Sequence, residues 1–181
     1  MSGEQAWSRL GSYLRETKLL GSIQSALYWD QNTRMPAGGA PWRGEQLTLL
    51  ARQLHQRQSS EAYADLVAEG RAEWQQQKGA ADLPPARIAA HGRNLDLLEQ
   101  ELRRQRRQDP ELVAALATAK AEGYDVWQQA RATSDFSLFA PALRRLISLR
   151  QEQARQLDEG RSCWETLAQP FEPDLRLERL Q

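Results

Sequence analysis

The side chains best suited to chemistry in this sequence are few: two imidazoles, His55 and His91, one thiol, Cys163, and a scatter of carboxylates. A hydrolytic zinc centre needs two or three imidazoles or carboxylates converging on one ion with a coordination position left open, commonly starting from two histidines one helical turn apart. His55 and His91 fall on different predicted helices, and neither is followed at helical spacing by another histidine, so no metal centre is expected from this chain alone. His91 lies between Leu98 and Leu102 on its helical wheel, and His55 flanks the Leu47 to Leu54 stripe. Both positions read as packed histidines with a hydrogen-bond partner. Cys163 and the serines have no helically adjacent histidine to activate them, which leaves nucleophilic catalysis without support. Carboxylate pairs are plentiful but generic. The Arg103 to Arg107 run occupies the predicted last turn of a helix, where the dipole favours cations, and reads as a solvated helix end rather than a phosphate site.

One opposite-charge pair stands out. Leu19, Leu20, Ile23, Ala26 and Leu27 recur at helical spacing, and Asp30 follows on the same face. After a turn rich in Pro36, Gly38, Gly39 and Pro41, the stripe Leu47, Leu50, Ala51 and Leu54 marks the next helix, with Arg43 one turn before Leu47. Two opposite charges on apolar faces flanking one turn should meet, since each would otherwise lose hydration without compensation. Asp30 also sits at a helix C-terminus, where the macrodipole disfavours an anion. The spacing predicts an Asp30–Arg43 ion pair. Trp29, Trp42, Trp74 and Trp127 read as core or groove-lining bulk.

The elements that must position these residues are helical. β-branched residues are scarce, no alternating run exceeds a few residues, and Ala, Leu, Gln, Glu and Arg dominate, which predicts an all-α fold, an antiparallel helical bundle. Trp7, Leu10 and Leu14 begin a helix that runs with little interruption to Trp29, because Gly21 costs only ~1 kcal/mol. A second helix spans Pro41 to Arg57. Ser59-Ser60-Glu61 starts a third, with Tyr63, Leu66, Val67, Gly70 and Trp74 on one face and an end near Lys78-Gly79. After a loop from Ala80 to Leu83, Pro84-Pro85 opens a fourth, marked by Ile88, Gly92, Leu95, Leu98 and Leu102. Asp109-Pro110 starts a fifth, whose narrow, Ala-rich stripe of Leu112, Leu116, Ala119, Gly123, Trp127 and Ala130 permits close approach and predicts a central position. Thr133-Ser134-Asp135 caps a sixth, with Phe136, Phe139, Leu143, Leu146, Ala154 and Leu157 on one face and Arg150 interrupting it. A short piece around Trp164 and Leu167 precedes Pro170-Phe171-Glu172-Pro173.

The chain's 181 residues, 40% of them hydrophobic, suffice for one domain with a real core, and no linker, repeat or low-complexity tract divides residues 1–181. With 24 basic and 24 acidic residues, no global field draws it to nucleic acid or an anionic membrane. A single cysteine excludes an internal disulfide framework, the first residues lack a basic region followed by an apolar run, and no stretch approaches the ~18 apolar residues of a membrane span. A cytoplasmic location is the expectation.

Two ordered motif sets point to a family. Leu20-x-x-Ile23-x-x-Ala26-Leu27-x-Trp29-Asp30-Gln31-x-Thr33-x-Met35-Pro36-x-Gly38-Gly39-Ala40, then Arg43-x-Glu45-Gln46 and Leu49-Leu50-x-x-x-x-His55, resembles the N-terminal region of the carboxypeptidase Taq family. Trp127-x-x-Ala130-Arg131-x-x-x-Asp135-Phe136-x-x-Phe139-x-Pro141-x-Leu143, with Ala154 and the Phe171-Glu172-Pro173 ending, is also similar to that family in order and spacing.

The resemblance implies a zinc-dependent metallocarboxypeptidase whose His-Glu-x-x-His helix, further glutamate ligand and substrate-carboxylate-binding residues lie downstream of Gln181. None of them is carried over to this chain. It would supply the helical N-terminal third, covering one side of a deep groove as in neurolysin-like peptidases. It would bind no zinc itself and be inactive alone, meeting peptide substrate only within a complete enzyme. The resemblance implies structural or groove-lining roles for Trp29, Asp30, Gln31, Thr33, Met35, Pro36, Arg43, His55, Trp127 and Arg131, and a homodimer. Leu175, Leu177 and Leu180 only begin a new apolar pattern, so the chain is expected to be a fragment; the alternative is a free-standing, non-catalytic helical interaction module.

Overall fold

The computed structural model of the chain describes residues 5–78, 84–157, 159–173 and 175–179. Regular structure among them is entirely helical: α1 (Ala6–Thr33), α2 (Ala40–Ser59), α3 (Glu61–Gln77), α4 (Pro85–Arg106), α5 (Pro110–Thr133), α6 (Phe136–Leu157) and α7 (Cys163–Ala168), with short 3-10 turns at Ala37–Gly39 and Leu177–Arg179. The loop expected at Ala80 to Leu83, and Leu180, lie outside the described residues. Among the described residues no helix is long and apolar enough to cross a membrane.

Local chemistry explains most boundaries. Gly21 does not break α1, as its small propensity cost predicts. Ser60 caps α3 by accepting the Tyr63 N–H at 3.1 Å. Asp109 caps α5 through the Glu111 N–H at 2.8 Å, and Pro110 takes the first helical position, where its missing N–H costs nothing. At the far end of α5, Ser134 adopts a left-handed conformation with φ of 53°, and its N–H returns to the last turn. Ser162 and Glu165 form a reciprocal capping box on α7.

The contacts cluster into two compact units, Met1–Ala26 with Gln53–Arg106, and Leu27–Arg52 with Arg107–Gln181. Their boundaries fall inside α1 and α2 and at the end of α4, so no linker composition marks them.

In the first unit, Leu10, Tyr63, Val67, Leu95 and Leu102 form the core, with Trp7, Tyr13, Leu14, Trp74 and Leu98 packed around it. The α3 and α4 stripes expected from sequence are the ones buried. Their approach is close at Gly92, where a Cβ would lie 2.8 Å from Trp74 Cζ2. The Trp74 indole N–H donates to the Ile88 carbonyl at 3.0 Å, which fixes the ring in that place. Arg106 corrects the reading of its basic run as merely solvated: it donates to the Ser59 and Ser60 carbonyls at 3.0 and 3.2 Å, where α2 ends, and pairs with Glu61 at 2.9 Å.

In the second unit, α5 packs along α6 and buries its small residues Ala114, Ala117, Ala119, Ala121, Gly123 and Ala130 together with Leu112 and Leu116, which bears out its Ala-rich stripe as an inner face. Arg107, the last residue of the basic run, donates to the Leu157 carbonyl at 2.6 Å and so satisfies the end of α6. Trp127 departs from its expected stripe and is partly exposed, its ring tilted against Tyr124 with centroids 5.7 Å apart. Trp29, Trp42 and Phe136 are also exposed.

Two outcomes test this packing. Gly92→Ala gains helix propensity but forces the pinned Trp74 ring aside, so a net loss of about 1 kcal/mol is expected, lowering Tm by about 2–4 °C; an unchanged or raised Tm contradicts the tight approach. Near α7, the Leu177 N–H donates to Glu165 Oε1 at 3.0 Å and the Ser162 hydroxyl to Oε2 at 2.7 Å. The Leu177 amide, then the Ser162 hydroxyl and amide, hold this carboxyl down at about 2, against an ordinary 4.5. A depressed value means the contact is fully present above 4.5 and lost as pH falls towards 2. The amide resonance of Leu177 should therefore titrate near the lower value; a midpoint at 4.5 contradicts the contact.

Candidate functional site

The turn between α1 and α2 is organised by Arg43. Its Nη2 donates to Asp30 Oδ2 at 2.6 Å, its Nη1 to the Leu27 carbonyl, and its Nε to Gln46 Oε1 at 3.0 Å. The pairing predicted from sequence is made. The Arg43 side chain is only 11% exposed and that of Asp30 39%, so the guanidinium has exchanged most of its water for these acceptors. A planar fork suits three acceptors in different directions better than an ammonium would.

The neighbouring candidates build the turn itself. Thr33 Oγ1 donates to the Trp29 carbonyl at 2.7 Å, and the Asp30 carbonyl accepts the Arg34 and Met35 amides at 2.8 and 2.9 Å. The Pro36 carbonyl accepts the Gly39 N–H at 2.8 Å. Gly39 lies against Met35, whose Cγ would be 3.0 Å from any Cβ added there. Gln31, buried in the last turn of α1, donates its Nε2 to the Ala121 carbonyl of α5 at 3.5 Å, while its Oε1 is buried with no hydrogen-bond partner.

An open cleft of about 1020 Å³ lies between this turn, α2 and α5. Thr48 and Thr118 share a hydroxyl hydrogen bond of 2.8 Å across it, and Glu45, Leu49, Glu122 and Asp125 line its walls. In the sequence Glu45 and Leu49 stood out only inside a motif, and Glu122 and Asp125 not at all; the signal available was the spacing of one helical turn from Glu45 to Leu49 and from Glu122 to Val126.

The remaining candidates lie elsewhere. Trp127 and Arg131 are on α5, with the guanidinium 5.5 Å from the indole centroid. His55 belongs to the first unit, buried, with Nδ1 3.1 Å from Gln105 Oε1. His91 stacks on Trp7, ring centroids 4.5 Å apart at 19°. It helps line a smaller pocket of about 350 Å³ with Glu73 and Trp74. Both histidines are thus packed, and among the described residues His55 has the expected hydrogen-bond partner while His91 has a ring contact.

Residues 9–181 match the family model of the carboxypeptidase Taq (M32) metallopeptidases. The chain belongs to that family. Among similar M32 proteins, thermostable carboxypeptidase 1 of Thermus thermophilus is 31% identical over 157 residues, which are 87% of this chain and 29% of the relative. The crystal structure of BsuCP shares the fold with a TM-score of 0.86 at 19% identity, covering 98% of this chain and 34% of that one. The M32 carboxypeptidase from Deinococcus radiodurans R1 gives a TM-score of 0.68 at 25% identity, covering 98% of this chain and 33% of that one. This M32 chain therefore spans about a third of its relatives' length.

The family's metal does not fit the side chains described for this M32 chain. His55 is committed to Gln105, His91 to Trp7, Cys163 is exposed, and no three of His, Cys, Asp or Glu among the described residues gather as ligands.

Two substitutions probe the turn. Arg43→Ala strips donors from a partly buried carboxylate and a carbonyl, and should lower the unfolding free energy in urea by about 1–3 kcal/mol. Gln31→Met removes the orphaned Oε1 at similar volume and should be neutral or stabilising by about 1 kcal/mol. A harmless Arg43→Ala or a costly Gln31→Met contradicts this reading of the site.

Proposed function

We propose that this chain is the groove-covering, non-catalytic part of a zinc-dependent M32 metallocarboxypeptidase that releases C-terminal amino acids from peptides, and that these 181 residues alone do not hydrolyse. The observation that carries the reading is a family match over residues 9–181 by a chain that spans 29% of the Thermus relative and whose two histidines are both engaged in packing. In this reading zinc is held by residues outside the chain. The α1–α2 turn, fixed by Arg43 and Asp30 and flanked by the exposed indoles of Trp29 and Trp42, is part of the wall that a peptide meets. Apolar side chains left on the surface, among them Leu19 and Ile23 on α1 and Phe136 on α6, accord with a chain that works against further protein.

The test compares the purified chain with the same residues joined to the catalytic remainder of a family member, each supplied with zinc and a short peptide. The joined protein is expected to release C-terminal residues, and the chain alone to release none and to hold no stoichiometric zinc. Zinc-dependent release by the chain alone contradicts the non-catalytic assignment. A joined protein that folds, binds zinc and releases nothing contradicts the groove-covering one.

A further inference from the structure

The cleft between α2 and α5 carries charge that the α1–α2 turn does not use. Glu45 makes no hydrogen bond or ion pair with any described residue, and it stands one turn before Leu49, an apolar side chain that is 60% exposed. On the opposite wall, Glu122 stands one turn before Val126, and Asp125, three residues after Glu122 on the same face of α5, lines the cleft with them. Among the described residues, Glu122 has only an exposed pairing with Arg145 at 3.3 Å, and Asp125 accepts only from the Gln129 side chain at 3.0 Å. Among the described residues lining the walls the one cation is Arg52, which pairs with Glu111 at 3.4 Å. Each wall therefore presents a carboxylate next to an apolar side chain, and the cleft is negative in a chain whose net charge is zero.

The arrangement discriminates among occupants. The carboxylates do not gather as a ligand set for a metal ion. Nucleic acid and acidic peptides would be repelled. Small-molecule pockets run to roughly 300–1,000 Å³, and at about 1020 Å³ this cleft admits a run of side chains. Spread anionic charge interleaved with apolar contacts suits a polycation that also carries apolar groups.

We propose that the cleft receives basic peptide segments, Glu45, Glu122 and Asp125 pairing with lysine or arginine side chains while Leu49 and Val126 pack an intervening apolar residue. The inference rests on the peptide-directed function above and names the class of peptide favoured by this wall. Binding here needs no hydrolysis, so its failure is separable from failure of the release assay.

The experiment measures fluorescence anisotropy of a short dye-labelled peptide alternating Lys and Leu, its Glu and Leu counterpart, and spermine as competitor, on the 181-residue chain. The basic peptide should bind, the acidic one should not, and high salt should weaken the complex. The Glu45→Gln/Asp125→Asn double variant should lose about fivefold in affinity, the size expected for two solvent-exposed charge contacts. Leu49→Ala should also weaken binding, whereas Asp65→Asn on α3, which removes one negative charge outside the cleft, should leave it unchanged. No binding of the basic peptide, an unaffected double variant, or an equal loss in Asp65→Asn overturns the proposal. Displacement by spermine as tight as the peptide itself overturns the peptide as occupant.

Discussion

The three-way donation from Arg43 to Asp30, the Leu27 carbonyl and Gln46 is the interaction around which the second unit is arranged. A helix C-terminus repels an anion, and Asp30 stands in the last turn of α1. A cation supplied from the start of α2 reverses that penalty and ties the two helices across their turn. The same guanidinium, almost removed from water, would be costly without its acceptors. Each partner thus makes the other tolerable, and the Pro36 to Gly39 turn needs only to provide a backbone path between them.

Small residues govern how closely the helices approach. Gly92 lets the Trp74 ring of α3 approach α4 closely, and the alanines of α5 let α6 come near enough for Leu146 to approach Gly123 within 3.3 Å of a would-be Cβ. Long side chains then close the helix ends. Arg106 and Arg107 cover the carbonyls at which α2 and α6 finish, placing positive charge where the helix dipole is negative.

Much of this was legible in the sequence, because helical periodicity and capping are local. The α3 and α5 starts follow directly from Ser60 and Asp109, and the Asp30–Arg43 pair follows from charge on two apolar faces across a short turn. What was not legible depends on tertiary partners. The stripe expected through Leu19 and Ile23 is exposed, while Thr17 and Gln31 are buried at seven-residue steps from Leu10. Thr17 is satisfied by the Tyr13 carbonyl and by Arg57, partners that no window along α1 reveals. The Arg103 to Arg107 run read as solvated for the same reason. The cleft escaped notice because its walls come from helices far apart in sequence, each carrying ordinary surface carboxylates.

The family relationship frames the local physics: in the proposed function, packed histidines and a firmly held interhelical turn would shape a groove rather than supply its chemistry. That account depends on Asp30 and Arg43 acting as one unit. A double-mutant cycle of Asp30→Asn and Arg43→Gln, read from urea unfolding, measures this directly. A coupling energy of about 1–2 kcal/mol is expected for a short, partly buried, charge-assisted pair. Strictly additive losses would mean that the two side chains stabilise the turn independently, and would contradict the account.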